Sequence, residues 1–210
     1  PLQGHKGRIN GIAIDPTGRL LASAGDDEVV KICNVRTGRT LRLLRGHTRY
    51  VGCVCFDPQG GTLASGGWDE KVNIWDIKTG QLKQTLLGRR SALFSIAFDQ
   101  SGRWLIGVGS DQAAVIWDMV NGRADPTCRT AGLHIRCATI DPSGGRLALG
   151  SIDGSIELQE TTTGRVIQHF HGHRHIVTSL VFDPLGHTMA SCSADATIRI
   201  WEAETGKLLR

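Results

Sequence analysis

Residues 169 to 175 read HFHGHRH, with a histidine at every second position. On an extended strand, alternate side chains share one face, so His169, His171, His173 and His175 have the residue type and the spacing to hold a divalent ion. No cysteine or carboxylate nearby completes a closed ligand shell of the kind a structural metal needs. His173 also falls in register with His5 and His47 along a longer repeat, which gives it structural work instead. The other three have no histidine counterpart elsewhere. They read as surface positions or a weak metal site, with His175 alone as a partner contact. No metal or cofactor is expected. Nothing else in the chain carries catalytic spacing, since GxSxG, HExxH, a phosphate-cradling glycine loop and a recognised Cys/His arrangement are all missing from the sequence. A non-enzyme is the expectation.

The elements that position these residues follow from composition and period. The 210 residues are 40% hydrophobic and 21% charged, in the range of a globular chain and too apolar for a disordered one. Lys plus Arg number 24 against 20 Asp plus Glu, and the basic residues are scattered, which argues against a dedicated nucleic-acid surface. No stretch is long and apolar enough to span a bilayer, and PLQGHKGR lacks a signal-peptide core, so the cytoplasm, or else the nucleus, is the expected location. The six cysteines, Cys33, Cys53, Cys55, Cys128, Cys137 and Cys192, form no CxxC pair and mostly sit in apolar runs, as buried thiols would.

The chain matches itself at a shift of 42 residues. IDPTG at 14, FDPQG at 56, FDQSG at 98, IDPSG at 140 and FDPLG at 182 stand in strict register. Five repeats result: 1–42, 43–84, 85–126, 127–168 and 169–210. Each Asp-Pro-x-Gly reads as a tight turn between two strands. Val30 and Ile32, Val72 and Ile74, and Ile198 and Ile200 alternate with Lys31, Asn73 and Arg199, the pattern of a strand with one buried face. In the first run of each repeat, Ile9, Ile12 and Ile14, like Val51, Val54 and Phe56, are spaced three and then two, so one inserted residue, a β-bulge, is needed to keep a single buried face. Helical spacing is missing throughout. The fold class predicted is all-β, a β-propeller of five 42-residue repeats in four-stranded antiparallel blades.

Gly46-His47 followed by Trp75-Asp76, nearly repeated by Gly172-His173 and Trp201-Glu202, resembles the GH and WD signatures of the WD-repeat family, and the resemblance runs the length of the chain. It implies a hydrogen-bonded set of histidine, serine, aspartate and tryptophan that locks each blade. The second repeat would supply His47, Ser65, Asp69 and Trp75, and the fifth His173, Ser191, Asp195 and Trp201. The first has His5, Ser23 and Asp27 but Cys33 for the tryptophan. The third has Asp111 and Trp117 but Arg89 and Gly107. The fourth keeps only Asp153, with Ala131, Leu149 and Gln159 at the other places.

The resemblance also implies a scaffold that binds a protein or peptide on the top face of the propeller. Register places Arg8, Tyr50, Trp68, Phe94, His134 and Arg136 on that rim, an arginine-and-aromatic set of the sort that dominates interface hot spots. The alternative is a purely structural segment that completes a larger propeller or an oligomeric ring. The ends bear on this choice: TGKLLR read on into PLQGH matches TGRTLRLLRGH at 37–47, so Leu208, Leu209 and Leu2 would build one split outer strand. A closed five-bladed single domain of 22.7 kDa is the favoured expectation, with self-association through the split strand or excision from a longer chain as the competitors.

Overall fold

The computed structural model of the chain describes residues 4–87, 91–125 and 134–210. Leu2, Arg89, Cys128 and Ala131, named above, lie outside the described residues. Every regular element among the described residues is a β-strand, and the strands form five antiparallel sheets of three or four strands each. They fall into two compact units, Pro1–Phe98 and Asp99–Arg210.

In the first unit, β1 (Ile9–Ile14), β2 (Leu20–Gly25), β3 (Val29–Asn34) and β4 (Thr40–Arg45) form one sheet. The next comprises β5 (Val51–Phe56), β6 (Thr62–Gly67), β7 (Lys71–Asp76) and β8 (Leu82–Leu87). Strand β9 (Leu93–Phe98) packs on β5 and β6, just as β5 packs on β1 and β2. In the second unit, β10 (Trp104–Gly109), β11 (Ala114–Asp118) and β12 (Arg123–Asp125) are joined in chain order, and so are β13 (Ile135–Ile140), β14 (Arg146–Ser151), β15 (Ile156–Glu160) and β16 (Val166–Phe170). Strands β17 (Val177–Phe182), β18 (Thr188–Ser193) and β19 (Ile198–Glu202) make the last sheet, and an isolated bridge from Trp201 to Leu208 stands where a fourth strand would begin.

Local chemistry explains why the pattern recurs. At each Asp-x-x-Gly the aspartate carbonyl accepts from the glycine amide, at 2.9 Å for Asp15 and Gly18 and 2.8 Å for Asp57 and Gly60, and the glycine takes the left-handed backbone that a side chain disfavours, with φ of 70° and 72°. Asp99-Gln100-Ser101-Gly102 forms the same turn without proline, at 3.0 Å. The carboxylate does the rest of the work: Asp15 Oδ1 also accepts from the Arg19 amide at 2.7 Å, clamping the chain as it enters β2. The register of the first strand pair shifts between Ile9 and Gly11, Val51 and Cys53, Ile135 and Cys137, and Val177 and Ser179. The bulge required by the three-then-two spacing is therefore present, and Val51, Val54 and Phe56 share one buried face.

Two expectations fail. Lys31 and Asn73, expected to face solvent, are only 6% and 1% exposed, because β3 and β7 are third strands with neighbours on both edges and cover on both faces. Asn73 accepts from the Thr85 hydroxyl at 2.9 Å, which relieves part of that burial. Ile9, Ile12 and Ile14, expected to be buried, are 48%, 67% and 61% exposed. Cys33, Cys55, Cys137 and Cys192 are free thiols. Burial pushes the Cys137 thiol up to about 12, which makes it a packing residue at neutral pH.

Candidate functional site

In the second repeat a single chain of hydrogen bonds runs from β7 to the loop before β5. Trp75 Nε1 donates to Ser65 Oγ at 2.7 Å, Ser65 Oγ lies 2.8 Å from His47 Nε2, and His47 Nδ1 lies 2.9 Å from Asp69 Oδ1. An indole can only donate and a carboxylate can only accept. For a neutral imidazole these two ends fix every direction between them: the serine hydroxyl gives its proton to Nε2, and Nδ1–H donates to the aspartate. The Thr48 amide donates to Asp69 Oδ2 at 3.1 Å, so the chain ends on the backbone beside its own histidine. Ser65 is fully buried, and Trp75 and His47 are nearly so.

The fifth repeat builds the same chain. Trp201 Nε1 donates to Ser191 Oγ at 2.8 Å, Ser191 Oγ lies 2.7 Å from His173 Nε2, and His173 Nδ1 lies 2.9 Å from Asp195 Oδ2. The Arg174 amide donates to the same carboxylate oxygen at 3.0 Å. The Thr197 hydroxyl, against the upward push of desolvation and with help from the Arg174 amide and the His173 ring, holds Asp195 well below the ordinary carboxylate range. Both ring nitrogens of His173 are thus engaged. Its neighbours His169 and His171 stack with centroids 6.0 Å apart, and His169 Nδ1 lies 3.6 Å from Glu157 Oε2. Among the described residues, no three His, Cys, Asp or Glu side chains converge as a metal site requires.

The first repeat has the chain without its head. His5 bridges Ser23 Oγ at 2.8 Å and Asp27 Oδ1 at 2.7 Å, while Cys33 Sγ turns to Thr40 Oγ1 at 3.5 Å. Burial raises the Asp27 carboxyl, but the Lys6 amide and the His5 ring outweigh it and leave it below its ordinary value. In the fourth repeat Leu149 is buried in place of the serine, and Gln159, buried in place of the tryptophan, donates to Glu157 Oε1. Asp153 stays in the turn and accepts from the Ser155 hydroxyl at 2.6 Å. In the third repeat Trp117 is 1% exposed and the Ala113 amide donates to Asp111 Oδ1 at 3.4 Å.

The rim residues of the first unit form a row. The Tyr50 and Trp68 rings lie 5.4 Å apart at 56°, and Trp68 meets Phe94 edge to face at 6.4 Å and 72°. Tyr50 and Trp68 are 45% and 43% exposed, and Phe94 is half-buried. The Trp68 amide donates to the Tyr50 carbonyl at 2.8 Å, a bond repeated from Asp26 to Arg8 at 2.9 Å, which fixes the turn against the bulge. Gly52, the bulged residue, lies beneath: a Cβ there would collide with the Leu93 carbonyl and stand 3.4 Å from Trp68 Nε1. Arg8 is exposed. Asn10, which sequence reasoning treats as a mere flank, donates to Asp26 Oδ1 at 2.7 Å and to the Val51 carbonyl at 3.1 Å, so it ties the first repeat's rim to the second. Its only signal is a polar residue at the bulge position.

In the second unit His134 is exposed, its Nδ1 meets Gln112 Oε1, and the Ile152 amide donates to its carbonyl at 2.9 Å. Arg136 is half-buried one pleat further on. Sequence reasoning missed Gln112, whose backbone at φ 59° sits where a non-glycine residue is strained.

Sheets of one recurring pattern, each clamped at its turns and several pinned internally by a histidine, define a protein of repeated β-blades whose exposed chemistry lies on loops. The chain belongs to the family described as WD domain, G-beta repeat, whose model matches residues 1–34, 38–76, 80–118 and 164–202. Repeats of this family generally mediate protein interactions. Among curated proteins, the chain is similar to ribosome biogenesis protein erb1 of Aspergillus clavatus, 51% identical over 39 residues. It is also similar to ribosome biogenesis protein ERB1 of Coccidioides immitis, 54% identical, and of Yarrowia lipolytica, 46% identical, each again over 39 residues. Each match covers 19% of this chain and 5% of the relative.

Proposed function

We propose that the chain is a non-catalytic scaffold, its five repeats acting as one propeller domain, and that it binds a protein or peptide through the loop rim. The Tyr50, Trp68 and Phe94 row carries this reading. Three aromatic rings in one contiguous row, two of them nearly half exposed on backbone fixed by hydrogen bonds, offer a large apolar area that loses little side-chain entropy on binding. Arg8, in the same unit, adds a cationic contact, while His134 and Arg136 give the second unit rim positions of its own. A peptide with an apolar anchor and flanking carboxylates fits this chemistry.

The likeness to ribosome biogenesis proteins is shorter than one repeat, so it is a likeness of blades, and the rim side chains set the partner. Of the two locations expected from the sequence, it favours the nucleus and a partner in a ribonucleoprotein assembly, while the cytoplasmic expectation finds no support in it. Peptides selected from a displayed library on the 210-residue chain test the reading. Trp68→Ala and Tyr50→Ala, with unchanged circular dichroism, should each weaken the selected peptides at least tenfold. Undiminished binding by both variants overturns the rim as the site.

A further inference from the structure

In the second repeat the buried Asn73 of β7 stands opposite Thr85 on β8 and accepts from its hydroxyl at 2.9 Å. The first repeat puts Lys31 at that place, 6% exposed, and its cross-strand neighbour is Leu43, which offers no acceptor. The lysine reaches instead toward the segment before β1. A Cβ on Gly4 would stand 2.7 Å from Lys31 Nζ, whereas one on Gly46 would stand 3.0 Å from Trp75 Cη2. The ammonium thus takes the place under the glycine that the indole edge holds in the second repeat, where the first repeat has only the short Cys33 in the tryptophan's register.

An ammonium buried to this degree is costly without a counter-charge. Asp27, the carboxylate beside it, is already engaged, Oδ1 with the His5 ring at 2.7 Å and Oδ2 with the Lys6 amide at 3.0 Å. Among the described residues no hydrogen bond or ion pair reaches the Lys31 ammonium. Lys31 and Asp27 line a cavity of about 280 Å³ together with Lys6 and Arg45, and Val29 and Leu43 give it an apolar wall. The Lys6 and Arg45 side chains are exposed. Three cations against one carboxylate leave two positive charges in excess.

We propose that this cavity is a binding site for a phosphate monoester. Its two excess charges match the near-dianion that a monoester carries at neutral pH, whereas a carboxylate would neutralise one of them. The Arg45 fork and the two ammonium groups supply charge-assisted donors for the three terminal oxygens. A cavity of about 280 Å³ has room for several groups the size of a water, each about 30 Å³, so the carbon stem of the ester fits beside Val29 and Leu43 as well. A phosphorylated side chain and a small phosphorylated metabolite share this chemistry. The site goes beyond the scaffold reading and uses none of the rim residues, so the failure of either leaves the other standing.

Calorimetric titration of the 210-residue chain in phosphate-free buffer at constant ionic strength tests this, with four probes: glycerol 3-phosphate, the capped peptide Ala-phosphoserine-Ala, its unphosphorylated form and inorganic phosphate. At least one monoester should bind saturably at a single site and more tightly than inorganic phosphate, and the tighter of the two identifies the source. Lys31→Met removes the buried charge at nearly constant length, so it should keep its thermal transition and lose affinity by about tenfold or more. Arg45→Gln, an exposed change that leaves the fold alone, should also weaken binding severalfold and decides the matter if the first variant does not fold. The proposal is overturned if neither monoester saturates, if inorganic phosphate or the unphosphorylated peptide binds as tightly, or if binding is indifferent to the substitutions.

Discussion

In the second repeat Ser65 receives the Trp75 indole and points its own proton at His47; in the fourth, Leu149 fills the serine's place and Gln159 the tryptophan's, turning to Glu157. Yet the two sheets share strand order and register, bulge and turn. Val51 and Ile135 precede the same register shift, and Asp57 and Asp141 close the same turn at 2.8 and 2.9 Å. The polar chain is therefore not what shapes a blade. Turn chemistry and apolar alternation do that, and the chain of hydrogen bonds adds stability where all its members are present. Losing several members together, with an apolar residue at the hub, avoids a buried hydroxyl with no partner.

The contrast can be broken from either side. Leu149→Ser would put the hub into the fourth repeat without the histidine or the indole. It leaves a cavity and an unpaired hydroxyl, and should destabilise by about 3–5 kcal/mol in denaturant titration. His47→Ala or Trp75→Phe strands buried partners in the second repeat and should cost about 1–3 kcal/mol, whereas Gln159→Ala should cost clearly less. Equal losses at the two repeats would remove the distinction.

Acid sharpens the comparison further. A carboxyl whose folded value is held below the unfolded value of about 3.9 adds stability above that pH and loses it as the pH falls toward the folded value. Asp195 and Asp27 are such groups. Asp195→Asn should therefore flatten the decline of the melting temperature below about pH 4 relative to the wild type. An unchanged acid limb would show that the aspartate's partners do not stabilise its charge.

The smallest effect concerns the residue after the turn aspartate. Glu70 sits there with φ 67°, and Gly154 holds the same place in the fourth repeat with φ 93°. Glu70→Gly should gain a few tenths to about 1 kcal/mol by removing left-handed strain. Gly154→Ala should lose stability, since its Cβ would meet the His173 carbonyl oxygen at 2.6 Å. Chemical melts of the two variants should move in opposite directions.

Much of this was legible beforehand because it is periodic. A strict 42-residue register exposes turns through Asp and Gly, and the three-then-two spacing of Val51, Val54 and Phe56 reveals a bulge. What escaped is what breaks the period. The register treats every repeat alike, so Ile9, Ile12 and Ile14 read as buried in the way Val51, Val54 and Phe56 are. Lys31 and Asn73 read as solvent-facing because alternation alone does not tell a third strand covered on both faces from an edge. The tie from Asn10 to Val51 is non-local and side-chain specific, and polar residues at a bulge carry no such signature. The Glu157 and Gln159 pair escaped for the same reason: it is particular to one repeat.

The directed hydrogen-bond chain has one further consequence. An indole N–H buried on a serine exchanges with deuterated solvent only when its blade opens. Trp75 lies in one compact unit and Trp201 in the other, and each donates to its own buried hydroxyl. Their two side-chain resonances are thus separate clocks, each timing the breathing of its own unit. Rates that differ would reveal two units that open one after the other, and matching rates a molecule that opens all at once.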